Sequence, residues 1–193
     1  MNMEILIISI LSYLIGSIPF GFLLTKFFLK KDIRNIGSGN IGATNVLRTG
    51  NKSIGYATLS FDIVKAVIPI IYLKLNYNDY ILIASLCIFL GHVFPVWLKF
   101  KGGKGVATYV GILFSINLYI GLVFIVVWFV TFLISKYSSL SSLFASLSVP
   151  IYLFIFTNQS FIFFSIMFIL IFYTHRENIK RLKNKEESKT KIY

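Results

Sequence analysis

One cysteine and four prolines in 193 residues give no basis for a disulfide scaffold or a zinc cluster. Charge is equally thin: 13% of the residues are charged, against roughly 25% in an ordinary soluble domain. That scarcity excludes a soluble globular domain, and the wealth of large apolar side chains excludes a long disordered segment. What is present is apolar bulk, with 56% hydrophobic residues, twenty phenylalanines and eleven tyrosines, and a mean hydropathy of +0.80. The chain reads as a single all-α, polytopic integral membrane domain over residues 1–193. Its one cysteine, Cys87, lies in an apolar run and reads as a small core residue.

The formal charge of +12 points to anionic partners or anionic lipid headgroups. Its placement orients the chain. A first apolar run over 5–28 has Glu4 before it and Lys26, Lys30, Lys31, Arg34, Arg48 and Lys52 in or after its end. The positive-inside rule therefore puts the N-terminus outside and the following segment in the cytoplasm. No basic start precedes that run, so it does not read as a secretory signal. Further runs cover 54–73, 80–98, 106–135, 140–157 and 161–173, and the last ends in His175, Arg176, Lys180, Arg181 and Lys183. A cytoplasmic C-terminus requires an odd number of crossings. The run over 106–135 is longer than one span needs, and Asn117 interrupts it, so a split there predicts seven transmembrane helices. Residues 183–193 read as a solvated, flexible cytoplasmic tail.

Between the basic residues lie three polar constellations. The first inner loop, from Arg34 to Arg48, carries Gly37, Ser38, Gly39, Asn40, Gly42, Thr44 and Asn45. Glycines let backbone amides turn toward an anion, and hydroxyls, amides and Arg48 add donors, so the loop resembles a phosphate cradle. The second runs from Gly91 and His92 to Lys101, Gly102, Gly103, Lys104, Gly105 and Thr108. Its amides at a helix start and the Lys104 ammonium can converge on one phosphate. Glycine follows Lys104 where the nucleotide P-loop needs serine or threonine, so ATP binding finds no support. His92 reads equally as a core histidine or a site residue.

The third stretch places His175, Asn178 and Lys180 or Arg181 close together on a helix that continues a span into the cytoplasm. A basic helix resting on anionic lipid is the alternative. Inside the second span, Asp62 and Lys65 stand three residues apart. An isolated charge in a bilayer costs at least ~2.5 kcal/mol, so these two are expected to pair.

With these motifs the chain resembles the bacterial membrane glycerol-3-phosphate acyltransferases that use acyl phosphate as donor. The family usually has glycine after the Asp-x-x-Lys of the second span, where this chain has Ala66, and glycine in the tail where it has Asn184 and Lys185. The resemblance implies transfer of a fatty acyl group from acyl phosphate to the 1-hydroxyl of glycerol 3-phosphate, giving lysophosphatidic acid and phosphate. It implies Lys104, His175 and Asn178 as catalytic residues. Ser38, Gly39, Asn40, Thr44, Asn45, Arg48, His92, Lys101, Gly102, Gly103, Gly105, Thr108 and Arg181 would bind substrate. No metal, cofactor or nucleic acid is expected. The expected partners are the two substrates, membrane lipid and the upstream enzyme that forms acyl phosphate. The expected location is the bacterial inner membrane, with the active site on its cytoplasmic face.

The residues themselves agree with that chemistry. Both substrates carry phosphate, one carries a long alkyl chain, and the sequence offers donor-rich loops at the rim of an apolar bundle. The H-x-x-x-x-D arrangement of other glycerolipid acyltransferases cannot be built at either histidine, so direct attack on an already activated acyl phosphate is expected. His175 or a phosphate oxygen of the substrate would take the proton. The competing reading is a small anion transporter or channel. Transporters usually hold their solute near the midplane between repeated halves, and no repeat is visible here.

Overall fold

In a computed structural model, residues 3–157 and 159–190 are described, and among them the regular structure is helical throughout. The chain divides into two compact units at the junction of Ile116 and Asn117.

The first unit opens with α1 (Met3–Gly16) and α2 (Phe20–Phe28). Pro19, which lacks an N–H, marks the break between them. A short α3 (Ala43–Leu47) leads to the long α4 (Lys52–Asn76), whose start is capped by Asn51 Oδ1 accepting the Ile54 amide at 3.0 Å. Then come α5 (Ile81–Val93) and α6 (Val106–Ile116). α1 packs on α5, and α4 packs on α6. Both pairs approach closely through glycine. A Cβ on Gly91 would strike the Tyr13 carbonyl of α1, and one on Gly111 would stand 3.1 Å from the Ala66 Cβ of α4. The Ala66 methyl is thus accommodated by a bare Cα on the facing helix.

The second unit holds α7 (Leu118–Ser135), α8 (Ser138–Phe156), α9 (Phe161–Thr174) and α10 (Arg176–Lys183). α8 packs against both α7 and α9. The break expected at Asn117 is present: its side chain accepts the Tyr119 amide at 2.8 Å and caps α7. α9 and α10 meet at a 59° bend centred on His175.

Among the described residues five helical stretches are long and apolar enough to cross a bilayer: Met3–Phe28, Lys52–Asn76, Asn78–Leu98, Leu118–Ser135 and Ser138–Phe156. The bent pair Phe161–Thr174 with Arg176–Lys183 passes the same test only when the two are taken as one span, and Val106–Ile116 is apolar but shorter. Large apolar side chains such as Ile134, Phe129 and Ile169 face outward, as lipid-facing positions require. The chain is a multi-pass membrane protein.

Candidate functional site

The loop before α3 is built around Asn45, which is 2% exposed. Its Nδ2 donates to the carbonyls of Ile36 and Asn40, both at 2.8 Å, and of Ile33 at 3.3 Å, while its Oδ1 accepts the Ser38 amide at 2.9 Å. Asn40 is used in the same way, its Oδ1 accepting the Gly42 amide at 2.9 Å. Expected as substrate ligands, Asn40 and Asn45 are the loop's internal braces. Gly37 and Gly39 take left-handed φ of 55° and 71°, and a Cβ on Gly37 would meet Asn45 and the Arg48 side chain. The bracing leaves Ser38, Gly39, Thr44 and Arg48 at the exposed surface of the loop. Arg34 is held elsewhere, donating to Asp32 through Nε at 2.9 Å and Nη2 at 2.6 Å. That bonding holds the Asp32 carboxyl down to about 2.

The glycine loop folds back along the end of α5. The Gly102 amide donates to the Val93 carbonyl at 3.0 Å, and the Gly103 amide to the His92 carbonyl at 3.1 Å. A Cβ at Gly102 would strike the His92 carbonyl, one at Gly103 the His92 ring, and one at Gly105 the Phe89 ring. These glycines serve close packing against α5, and the first two amides are turned inward, not toward an anion as the sequence suggested. The cationic groups of this loop are the partly buried Lys104 and the neighbouring exposed Lys101, next to the first turn of α6, whose amides have no intrahelical partner. Thr108, in that turn, is fully buried and its hydroxyl has no hydrogen-bond partner among the described residues.

Beneath the loop, Asp62 and Lys65 pair as expected, with Oδ1 and Nζ 2.8 Å apart. The sequence did not show that His92 joins them: Lys65 Nζ donates to His92 Nδ1 at 2.9 Å and to the Ile18 carbonyl at 2.9 Å.

In the second unit, His175 is 2% exposed and its Nδ1 lies 2.8 Å from the Ile171 carbonyl. A carbonyl only accepts, so Nδ1 carries a proton directed at Ile171. One turn on, Asn178 Nδ2 donates to Glu187 Oε1 at 2.6 Å, Ser139 Oγ to the same oxygen at 2.8 Å, and Arg181 Nε to Oε2 at 2.7 Å. Burial works against the charged form of Glu187, but the hydrogen bonds from Arg181, Asn178 and Ser139 outweigh it and hold the carboxyl below its ordinary value. Glu187 and Ser139 are missing from the sequence-based candidates, although an acid inside a basic tail was a usable signal. The tail expected to be solvated is tied back here and again at the Thr190 amide, which donates to the Lys136 carbonyl at 3.0 Å. Lys185 takes a left-handed φ of 61° just where a glycine is usual in the resembled family. Residues 191–193 lie outside the described residues.

A family model described as glycerol-3-phosphate acyltransferase matches residues 6–185. A protein named glycerol-3-phosphate acyltransferase from Pelagibacter ubique is 76% identical over 191 residues, covering 99% of this chain and 100% of that protein. One of the same name from Bartonella henselae is 49% identical, covering 95% and 90%. Among solved structures, that of PlsY (YgiH), an integral membrane glycerol 3-phosphate acyltransferase in its glycerol 3-phosphate form, superposes with a TM-score of 0.90 at 38% identity. That match covers 96% of this chain and 95% of the other. The lysophosphatidic acid form of PlsY gives a TM-score of 0.88 at 36% identity, over the same shares of the two chains.

Proposed function

The chain belongs to the glycerol-3-phosphate acyltransferase family, and from that premise we propose that it moves a fatty acyl group from acyl phosphate to the 1-hydroxyl of glycerol 3-phosphate. The products are lysophosphatidic acid and inorganic phosphate. The observation that carries the reading is the glycine loop, in which Lys104 is set between inward-turned Gly103 and the start of α6. That arrangement suits a phosphate, and both proposed substrates have one.

In the proposed reaction the hydroxyl oxygen attacks the acyl carbonyl, the bond from that carbon to the phosphate oxygen breaks, and phosphate leaves. An acyl phosphate is an activated mixed anhydride, so the protein has to orient the hydroxyl and offset the charge on the carbonyl oxygen and the leaving phosphate. We assign Lys104 and Arg48 to phosphate charge, Ser38 and Thr44 to donor roles, and Asn178 to a polar contact through its Oδ1, which is buried and has no partner among the described residues. The proton goes to His175 Nε2 or to a substrate phosphate oxygen.

The reading carries a topology of seven spans, with the N-terminus outside and the C-terminus and loops at the cytoplasmic face of the bacterial inner membrane. Its acyl phosphate must come from an upstream acyl-phosphate-forming enzyme. The experiment is acyl transfer by the purified protein with acyl phosphate and glycerol 3-phosphate, with acyl-CoA in parallel. Transfer from acyl phosphate alone, without ATP or added metal, is expected. Preference for acyl-CoA, or isolation of an acylated Ser, Thr or Cys, would overturn the reading.

A further inference from the structure

The buried charges of α4 have no role in the reaction as described, yet they are linked to the glycine loop residue by residue. Asp62, Lys65 and His92 are 2%, 5% and 3% exposed. Lys65 Nζ donates to two acceptors at 2.9 Å, the Ile18 carbonyl at the α1–α2 break and His92 Nδ1, and stands 2.8 Å from Asp62 Oδ1 as an ion pair. The Phe20 ring, with its centroid 5.8 Å from Nζ, closes another side. An ammonium can only donate, so His92 Nδ1 is its acceptor and the neutral ring carries its proton on Nε2.

The fixed ring leads on to the loop. A Cβ on Gly103 would collide with Nε2, Cε1 and Cδ2 of His92, and the Gly103 amide donates to the His92 carbonyl at 3.1 Å. Gly103 is therefore seated on both the ring and the backbone of one residue, and the next residue is Lys104. We propose that the Asp62–Lys65 pair is a positioning device for the phosphate loop, acting through the His92 ring that Lys65 pins beneath Gly103. Neither charge touches substrate. Asp62 orients the ammonium, the ammonium sets the plane of the imidazole, and the imidazole sets the height of the loop that carries Lys104. This rests on the reading of that loop as a phosphate seat.

A purely structural ion pair would also be buried and bonded, so the test separates the two roles. The neutral pair Asp62→Asn with Lys65→Met removes both charges together and leaves no charge stranded in the span. Purified, inserted protein with matched thermal stability is assayed for kcat and for the KM of each phosphate substrate. We expect kcat/KM to fall at least ~10-fold, with the loss carried by the KM of one of the two substrates, because the loop is displaced while the chemistry is intact.

The second arm is a double-mutant cycle with Gly103→Ala, which alone should cost ~100-fold by driving a methyl into a ring that cannot turn. In the neutral-pair background the ring is released, and the same methyl should cost less than ~3-fold more. His92→Ala, which keeps the native charge pair and so serves if the neutral pair does not insert, should absorb the methyl in the same way. Losses that multiply in either cycle, or near-native kinetics of the neutral pair, overturn the positioning role. Activity that collapses in Lys104→Ala while both cycles multiply overturns it and leaves the phosphate-loop reading standing. Full activity of Lys104→Ala removes both.

Discussion

Asn178 reaches nine residues along the chain to Glu187, its Nδ2 standing 2.6 Å from Oε1. The same carboxylate takes Ser139 and Arg181 as well, so α8, α10 and the segment after it are joined at one acid. Asn178 is consequently held by its donor end, and its Oδ1 is left for another partner.

Glu187→Ala strips the acceptor from two largely buried donors, Asn178 and Ser139. Leaving them unsatisfied should destabilise the protein by about 1–3 kcal/mol, read as a lowered thermal midpoint. Glu187→Gln keeps an oxygen for Asn178 and Ser139 and should cost less. An Ala variant as stable as the parent would show that the tie contributes nothing.

The anchor should also be acid-labile. Glu187 ionises more readily folded than unfolded, because its bonds to Arg181, Asn178 and Ser139 overcome the cost of burial. A depressed carboxyl contributes stability that is fully present above its unfolded value of about 4.3 and lost as the pH falls through the lower folded value. Protection against hydrogen exchange across 176–190, taken relative to the unstructured rate at each pH, should therefore hold at neutral pH and fall below about pH 4. In Glu187→Gln that fall in protection should vanish. A fall that persists in the Gln variant would assign it to another group.

Much of this architecture is legible in the sequence because its causes are local. Hydropathy places the long apolar helices, Asn117 announces a helix start, and the spacing of Asp62 and Lys65 announces their pair. The direction in which a loop turns is a tertiary matter. The sequence from Lys101 to Gly105 shows glycines that could face an anion, and only the carbonyls of His92 and Val93 reveal that two of the amides face inward. Asn45 is ambiguous for the same reason: a loop asparagine can grip a ligand or the loop itself, and the carbonyls of Ile36 and Asn40 decide it. The role of Glu187 is not legible in the sequence, because one of its partners, Ser139, lies 48 residues away.

Asn45→Ala should loosen the first loop as a whole, since four backbone groups each lose a hydrogen bond, although the Ile33 and Ile36 carbonyls keep the amides of Ile36 and Gly39. Those groups border solvent in part, so a loss of about 1–3 kcal/mol is expected. Asn45→Asp should be worse than Ala, because it sets a carboxylate against three carbonyl oxygens where an NH₂ stood. Limited proteolysis between residues 34 and 48 measures it, with cleavage fastest for Asp, then Ala, then the parent. Equal resistance of all three would mean that the loop is held by something other than Asn45.

Lys104→Ala tests phosphate recognition against general basicity. Lys104 is partly buried between Gly103 and Gly105, and Gly105 has a φ of +88° with its Cα against the Phe89 ring. A side chain so placed acts from a fixed position, and removing a preorganised donor to developing charge costs ~100-fold or more in kcat. Lys189 carries the same charge on an exposed side chain. Exposed charges are screened over about 10 Å at ~0.1 M salt, so Lys189→Ala should change kcat/KM less than about twofold. The contrast should persist as salt is raised, because a charge held next to the reacting phosphate is screened far less than one in solvent. Steady-state kinetics of the two variants at low and high salt decide it. Losses of similar size, both shrinking with salt, would mean that the two lysines contribute only a diffuse positive field and that the glycine loop is an ordinary basic turn.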